Sequence, residues 1–404
     1  MGERLVSVDD VKAAAALLDG IAIRTPVEES RWLSGMVGGR VAVKCENLQR
    51  TGSFKIRGAY VRIARLSDEE RRNGVVAASA GNHAQGVALA ASMLGTTSTV
   101  FMPVGAPLPK IAATTAYGAT VELAGVTVDE SLAAAKEYAE KQGSVLIHPF
   151  DHPHVIAGQG TAGLEILDQV PNMKTVIVPI GGGGLVSGVA AAVKGTRPDV
   201  RVVGVQAEQA AAFPASIALG HPVPLSSMAT IADGIAVGSP GEQTLRHVST
   251  LVDDVVTVSD EAISRALLLC LERAKLVVEP AGAAGVAAVM EEPQAFTPPV
   301  VVVLSGGNVD PLLMLRVIRH GLIAAGRYLS FRLRIPDRPG ELARLLGLLA
   351  DTGANVLDVE HLRTGPKLHL DEVEVALQLE TRGANHCDEV LAALRAEGYP
   401  LSFG

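Results

Sequence analysis

Apolar positions along this chain follow two regimes. From residue 41 to 304, short unbroken apolar runs alternate with stretches where apolar residues recur every three or four positions. The runs at Val41 and Val43, Gly74 to Ala78, Ser98 to Met102, Thr120 to Leu123, Ser144 to Ile147, Thr175 to Pro179, Val200 to Gln206 and Val300 to Leu304 read as strands. Between them, Ile56 to Ile63, Pro107 to Ala116, Val128 to Lys141, Gly160 to Asp168, Leu185 to Val193, Glu261 to Arg273 and Gly282 to Met290 read as helices. Upstream, Ser7 caps a helix through Ala14 to Leu18 that stops at Gly20. Alternating strands and helices of this kind predict an α/β protein whose parallel sheets are covered on both faces.

Around Tyr328 the period changes. Leu329 to Ile335 alternates with period two, as a strand with one wet face does. A turn at Pro336 to Gly340, a helix over Glu341 to Asp351, strands over Asn355 to Leu362 and Leu368 to Leu379, and a helix over Ala384 to Ala396 follow. This βαββαβ order predicts a small domain over residues 326–404, after a larger one over residues 1–325.

Composition narrows the class. Hydrophobic residues make up 48% against 19% charged, which excludes wholesale disorder. A net charge of −8 with no basic stripe argues against a nucleic-acid partner. No apolar run is long enough to span a bilayer, and Met1 to Asp10 is charged with no apolar core of a signal peptide. Cys45, Cys270 and Cys387 are too widely spaced for a metal site and odd in number, so reduced thiols in the cytoplasm are expected.

The candidate chemistry centres on Glu46 to Ala59, Glu-Asn-Leu-Gln-Arg-Thr-Gly-Ser-Phe-Lys-Ile-Arg-Gly-Ala. Thr51-Gly52-Ser53 offers turn and N-cap chemistry between a strand and a helix, and places Lys55 near the first helical turn. Ligands bind at the carboxyl ends of strands in such sheets. Lys55 reads either as a surface charge beside Arg57 or as a desolvated amine suited to a Schiff base. Gly181, Gly182, Gly183 and Gly184 lie between a strand and a helix, where backbone N–H groups can surround an anion. They lack the spacing of a Walker or dinucleotide loop. Asn82 follows a strand in Ser79-Ala80-Gly81-Asn82-His83, and Ser305 ends the last apolar run.

Together these segments resemble the fold-type II pyridoxal-phosphate enzymes, with a two-lobed, tryptophan synthase beta-like fold, and most closely the threonine dehydratases (threonine ammonia-lyases). The resemblance spans the whole chain and implies a smaller lobe over about residues 55–150. It implies pyridoxal 5′-phosphate in a Schiff base on Lys55, beside Phe54, with Gly181 to Gly184 around the phosphate. Asn82 would then meet the 3-hydroxyl and Ser305 the pyridine nitrogen. A serine hydroxyl there makes a weaker electron sink than a carboxylate, which disfavours transamination and leaves β-elimination open. Ser79, Ala80, Gly81 and His83 would form the loop for the substrate carboxylate, although His83 reads equally well as a structural histidine. Glu279 would stand near the site or serve structure alone.

The implied reaction takes L-threonine to 2-oxobutanoate and ammonia, with L-serine to pyruvate beside it. Serine racemisation or β-replacement is the rival within the fold, and a non-catalytic amino-acid sensor is a rival outside it. Racemising relatives carry a serine where this chain has Ala80, and Pro214 replaces a carboxylate of their cation site although Glu208 is kept, so no metal is expected. The C-terminal βαββαβ unit resembles an ACT domain. Gly340 and Asn355 would then line a pocket for an amino-acid effector, isoleucine or valine, in a homodimer or homotetramer; an ACT domain that only dimerises is the alternative.

Overall fold

The computed structural model describes residues 4–363 and 368–403, so Met1 to Glu3 of the charged N-terminal stretch lie outside the described residues. The chain forms two compact units, Met1–Pro311 and Leu312–Gly404.

The first unit holds two sheets. In the larger, the strands run in the order Val27–Glu29, Val41–Cys45, Val300–Leu304, Thr175–Pro179, Arg201–Ala207 and Asp254–Val258. All pair in parallel except the first, which pairs antiparallel with Val41–Cys45. The central strands are buried along their whole length, which is why they read as unbroken apolar runs. The smaller sheet is wholly parallel, ordered Thr120–Leu123, Ser98–Met102, Val75–Ala78 and Val145–Leu146. Thr175 to Pro179 and Val300 to Leu304 are strands as expected, whereas the strand expected over Ser144 to Ile147 shortens to two residues.

Small residues let the helices between the sheets meet backbone to backbone. The helix Lys55–Ala64 crosses the helix Pro153–Gln169 at Gly58 and Gly158, where a methyl on Gly158 would lie 2.6 Å from the Arg57 carbonyl oxygen. That second helix crosses Gly184–Thr196 at Gly160 and Gly188, where a methyl on Gly188 would lie 2.2 Å from the Ile156 carbonyl oxygen. Ile56, Ala59 and Ile63 on the first of these helices pack with Val75, Ala77 and Val87 in the smaller sheet's core. Val186, Val189 and Val193 on the last pack with Val176, Val178 and Val301 in the larger one's. A stack of crossings therefore runs from one core to the other.

One expected helix is divided. Glu261 to Arg273 forms the helix Asp260–Leu269 and then a π-turn, Cys270–Ala274, closed by Lys275 at φ 60°. The wider turn ends the helix just before the segment that carries Glu279, and such turns cluster at functional sites.

The second unit forms the βαββαβ domain, with an antiparallel sheet ordered Asn355–Leu362, Glu372–Glu380, Tyr328–Pro336 and Leu401–Ser402. The period-two reading holds at atomic detail: Phe331, Leu333 and Ile335 are buried, facing Leu345 and Leu349 of the helix Glu341–Asp351 in one cluster. Val373, Val375, Leu377 and Leu379 alternate onto the same core.

Gly188→Ala tests the crossings, because its methyl has no space unless two helix backbones separate. Urea unfolding should show a loss of about 1–3 kcal/mol; an unchanged midpoint would mean the crossing is looser than described.

Candidate active site

The lysine segment reaches its place through backbone geometry, and the N-cap chemistry expected from Thr51 and Ser53 is not used. The helix Lys55–Ala64 is entered from Phe54, with no side-chain cap. Phe54 N–H instead donates to the Ser305 carbonyl at 3.2 Å, and Ser53 bridges Gly306. The parallel pairing of Val41–Cys45 with Val300–Leu304 ends both strands at one edge, which explains why the lysine turn and Ser305 sit side by side. Thr51 adopts φ 61°, a strained conformation for a β-branched residue, where the chain turns toward Lys55.

Lys55 is half-buried on the wall of a cavity of about 920 Å³. Its Nζ donates to the Pro149 carbonyl at 3.1 Å and lies 5.1 Å from the centre of the Phe54 ring. Desolvation lowers its pKa from 10.5 to about 8, against a smaller opposing pull from Glu279. A fraction of the amine is thus uncharged near neutral pH, as a nucleophile or base requires. The surface-charge reading fails for Arg57 as well, which is 1% exposed.

Arg57 belongs to a buried ionic group that the sequence reading missed. Its Nε and Nη2 donate to the two oxygens of Glu46 at 2.8 Å, and its Nη1 to Glu165 at 2.7 Å. Lys44, fully buried in its strand, donates to the other oxygen of Glu165 at 2.5 Å and to the Thr25 carbonyl. Burial penalises the Glu46 carboxylate, but Arg57, the Thr25 hydroxyl and Lys44 outweigh it and hold the pKa below the usual range. The available signal was a charge, Lys44, inside an apolar run, and two opposite charges flanking Lys55.

The four glycines follow the strand Thr175–Pro179 and open the helix Gly184–Thr196. A methyl on Gly182 would lie 2.2 Å from the Phe150 ring, and one on Gly183, at φ 93°, 2.6 Å from Phe213. None of the N–H groups of Gly181, Gly182 or Gly183 donates to a backbone carbonyl among the described residues. A cup of free N–H groups at a helix N-terminus, closed to any side chain, suits a phosphate. With a lysine of lowered pKa on the same cavity, these residues fit pyridoxal phosphate.

Asn82 is the first residue of the helix Asn82–Met93, beyond the N-cap, and its amide bonds Glu279 and Asn308. Ser79, Ala80, Gly81 and His83 line the same cavity, as do Phe54 and Ser305. His83 is spent on structure: its Nε2 meets the Ile147 carbonyl at 2.8 Å, and burial lowers its pKa to about 3. Burial raises Glu279 from 4.5 to about 8, with Asp233 adding to the shift and Asn82 opposing it. Cys45 and Cys270 are free and buried, their thiols pushed up to about 12 by desolvation. Among the described residues no group of three or more His, Cys, Asp or Glu side chains could hold a metal, and none of the helices is long and apolar enough to cross a membrane. In the second unit, Gly340 starts the helix Glu341–Asp351 and Asn355 follows its far end, so one chain does not bring them together.

Comparison with known proteins agrees with this geometry. Residues 18–306 match the family described as pyridoxal-phosphate dependent enzyme, and residues 330–398 match the ACT domain. The chain is 47% identical to the L-threonine ammonia-lyase of Thermotoga maritima over 98% of this chain and 99% of that protein. It is 45% identical to the L-threonine ammonia-lyase of Geobacter sulfurreducens over 93% and 94%. Among solved structures, a threonine deaminase from T.th. superposes with a TM-score of 0.72 at 43% identity, covering 75% of this chain and 99% of that one. Maize serine racemase superposes with a TM-score of 0.74 at 38% identity, covering 79% and 99%.

Two measurements test the electrostatics. Glu165→Ala leaves Lys44 and Arg57 buried with one carboxylate between them and should cost about 3–5 kcal/mol in urea unfolding. For Lys55 the sign follows from linkage. Between pH 8 and 10.5 the unfolded chain holds the proton and the folded chain does not, so stability rises through that window. Cofactor-free Lys55→Met should therefore melt above the wild type below pH 8, the gap closing as pH climbs to 10.5. A gap independent of pH would show that Lys55 is not desolvated.

Proposed function

The chain belongs to the family of pyridoxal-phosphate dependent enzymes and carries an ACT domain after its catalytic part, and on that premise we propose that it dehydrates and deaminates L-threonine to 2-oxobutanoate and ammonia, with L-serine to pyruvate as a lesser activity. The observation that carries this reading is the convergence of Lys55, Asn82, Gly181 to Gly184 and Ser305 on one cavity. The near full-length likeness to two L-threonine ammonia-lyases supports the substrate.

Bound in this cavity, the cofactor supplies an electron sink for the bond broken at the substrate Cα. The chain's own residues do the rest. Lys55 has an amine that is partly uncharged near neutral pH, so it can hold the cofactor covalently and, once released, accept the Cα proton. The free N–H groups of the glycine cup would hold the phosphate. Asn82 would hold the ring hydroxyl, and Ser305 would offer the ring nitrogen a hydroxyl partner that cannot keep it charged. The turn Ser79 to Gly81, with the N-terminus of the helix Asn82–Met93 behind it, receives the substrate carboxylate. Phe54 packs beside the Lys55 amine.

Ala80 separates this reading from racemisation. It packs against the apolar cluster of Ala84, Ala88, Val100, Met102 and Ala119 and has no proton to deliver to the opposite face of the substrate. The ACT domain supports control by an amino acid, with isoleucine or valine as the effector. Gly340 and Asn355 lie at opposite ends of one helix, so a pocket using both needs two copies of the domain, in a homodimer or homotetramer. Buried free thiols suit a reducing cytoplasm.

Purified protein should form 2-oxobutanoate from threonine, and isoleucine or valine should change the rate. Lys55→Ala should lower turnover by about a thousandfold or more and remove the visible absorption of bound cofactor. Chiral assay of L-serine reactions should find pyruvate and no D-serine. An active Lys55→Ala, or D-serine as the main product, would overturn the reading.

A further inference from the structure

Asn82 is held from two sides by side chains of distant segments. Glu279 precedes the helix Pro280–Glu291, and its Oε1 accepts from Asn82 Nδ2 at 2.7 Å. Asn308 follows the strand Val300–Leu304, and its Nδ2 donates to Asn82 Oδ1 at 2.8 Å. The same Nδ2 donates to the carbonyl of Thr51, in the turn that leads to Lys55, and lies 3.5 Å from Gln85 Oε1.

These contacts have a direction. A backbone carbonyl can only accept, so Thr51 fixes which end of the Asn308 amide faces inward. That end is a donor, so it fixes the Oδ1 of Asn82 toward Asn308. The Nδ2 of Asn82 is then left for Glu279, with one further N–H unspent. Burial keeps Glu279 largely protonated at neutral pH, so it accepts at Oε1 without adding an uncompensated buried charge. Gly306 leaves the space: a methyl there would lie 2.2 Å from Glu279 Oε1 and 3.1 Å from Asn82 Nδ2.

We propose that Asn308 and Glu279 are positioning residues that lock the Asn82 amide so that it meets the cofactor's ring oxygen as a hydrogen-bond donor and never as an acceptor. The proposal rests on the assignment of Asn82 to the cofactor. Its consequence is that the ring oxygen is received in its ionised form, which a donor stabilises and an acceptor repels.

The test compares two substitutions at one position. Asn308→Asp keeps the size but replaces the donor by a carboxylate, which draws the Nδ2 of Asn82 toward itself and turns Oδ1 to the cavity. Asn308→Ala removes the donor and leaves Glu279 to hold the amide. Apo-protein is titrated with pyridoxal phosphate, and the dissociation constant and visible spectrum of the bound cofactor are read. N308D should weaken binding by about tenfold or more and shift the spectrum, and N308A should weaken it by only about two- to fivefold with the spectrum kept. Glu279→Gln, which keeps an acceptor oxygen, should rescue most of what Glu279→Ala loses, and this pair carries the test if N308D does not fold.

A merely structural role predicts the reverse order, with N308A the worse of the two, and that result would overturn the proposal. So would an N308D protein with wild-type affinity and spectrum, or an E279Q protein no better than E279A. A wild type that binds no cofactor overturns the functional reading and the clamp together. A wild type that binds and turns over threonine while N308D matches it overturns the clamp alone.

Discussion

Four charges, three of them fully buried, meet at the lysine helix, and the placing of its amine depends on them. Lys44 comes from a strand, Glu46 from the turn after it, Arg57 from the helix that Lys55 begins, and Glu165 from the helix that crosses it. Two positive and two negative groups balance, and the hydroxyl of Thr25 and the amide of Gln169 complete their hydrogen bonds. Such a group adds little to stability compared with well-packed apolar side chains, but it has few alternative arrangements. It therefore pins three segments in register. Lys55, two residues from Arg57 and on the other side of the same helical turn, inherits that register and faces the cavity.

The same helix carries two cations with opposite fates. Burial works against the Arg57 guanidinium, but the carboxylates of Glu46 and Glu165 meet it on two sides, outweigh that penalty and raise its pKa. Lys55 has no carboxylate bonded to its amine, so desolvation prevails and its pKa falls. The partners of the two cations differ, and that gives the site one permanent charge for structure and one adjustable amine for chemistry.

Much of this was legible in the sequence where a local pattern and its physical cause coincide. Unbroken apolar runs mark strands covered on both faces, period two marks the sheet of the second unit, and four glycines between strand and helix mark a turn whose N–H groups meet no backbone carbonyl among the described residues. What was not legible depends on segments far apart in the chain. Lys44 looks misplaced in an apolar strand until Glu165, on a helix over a hundred residues later, is known to face it. Asn308 sits in plain view after Ser305, but its role needs Thr51 and Asn82 beside it. Thr51 and Ser53 carry the chemistry of a helix cap, but a backbone bond from Phe54 to Ser305 fixes that entry instead, and both hydroxyls are left buried without a partner. The helix expected through Arg273 breaks into a π-turn with no Gly or Pro to announce it.

The glycine crossings carry a mechanical meaning. Two helices separated by side chains can slide a fraction of a residue as those side chains change rotamer. Two helices touching at bare backbone have no such layer to shear, so translation along either axis drives a neighbouring side chain into the other's carbonyls. Turning about the point of contact is the motion that stays open. The stack at Gly58, Gly158, Gly160 and Gly188 thus resists sliding of one sheet's core past the other's.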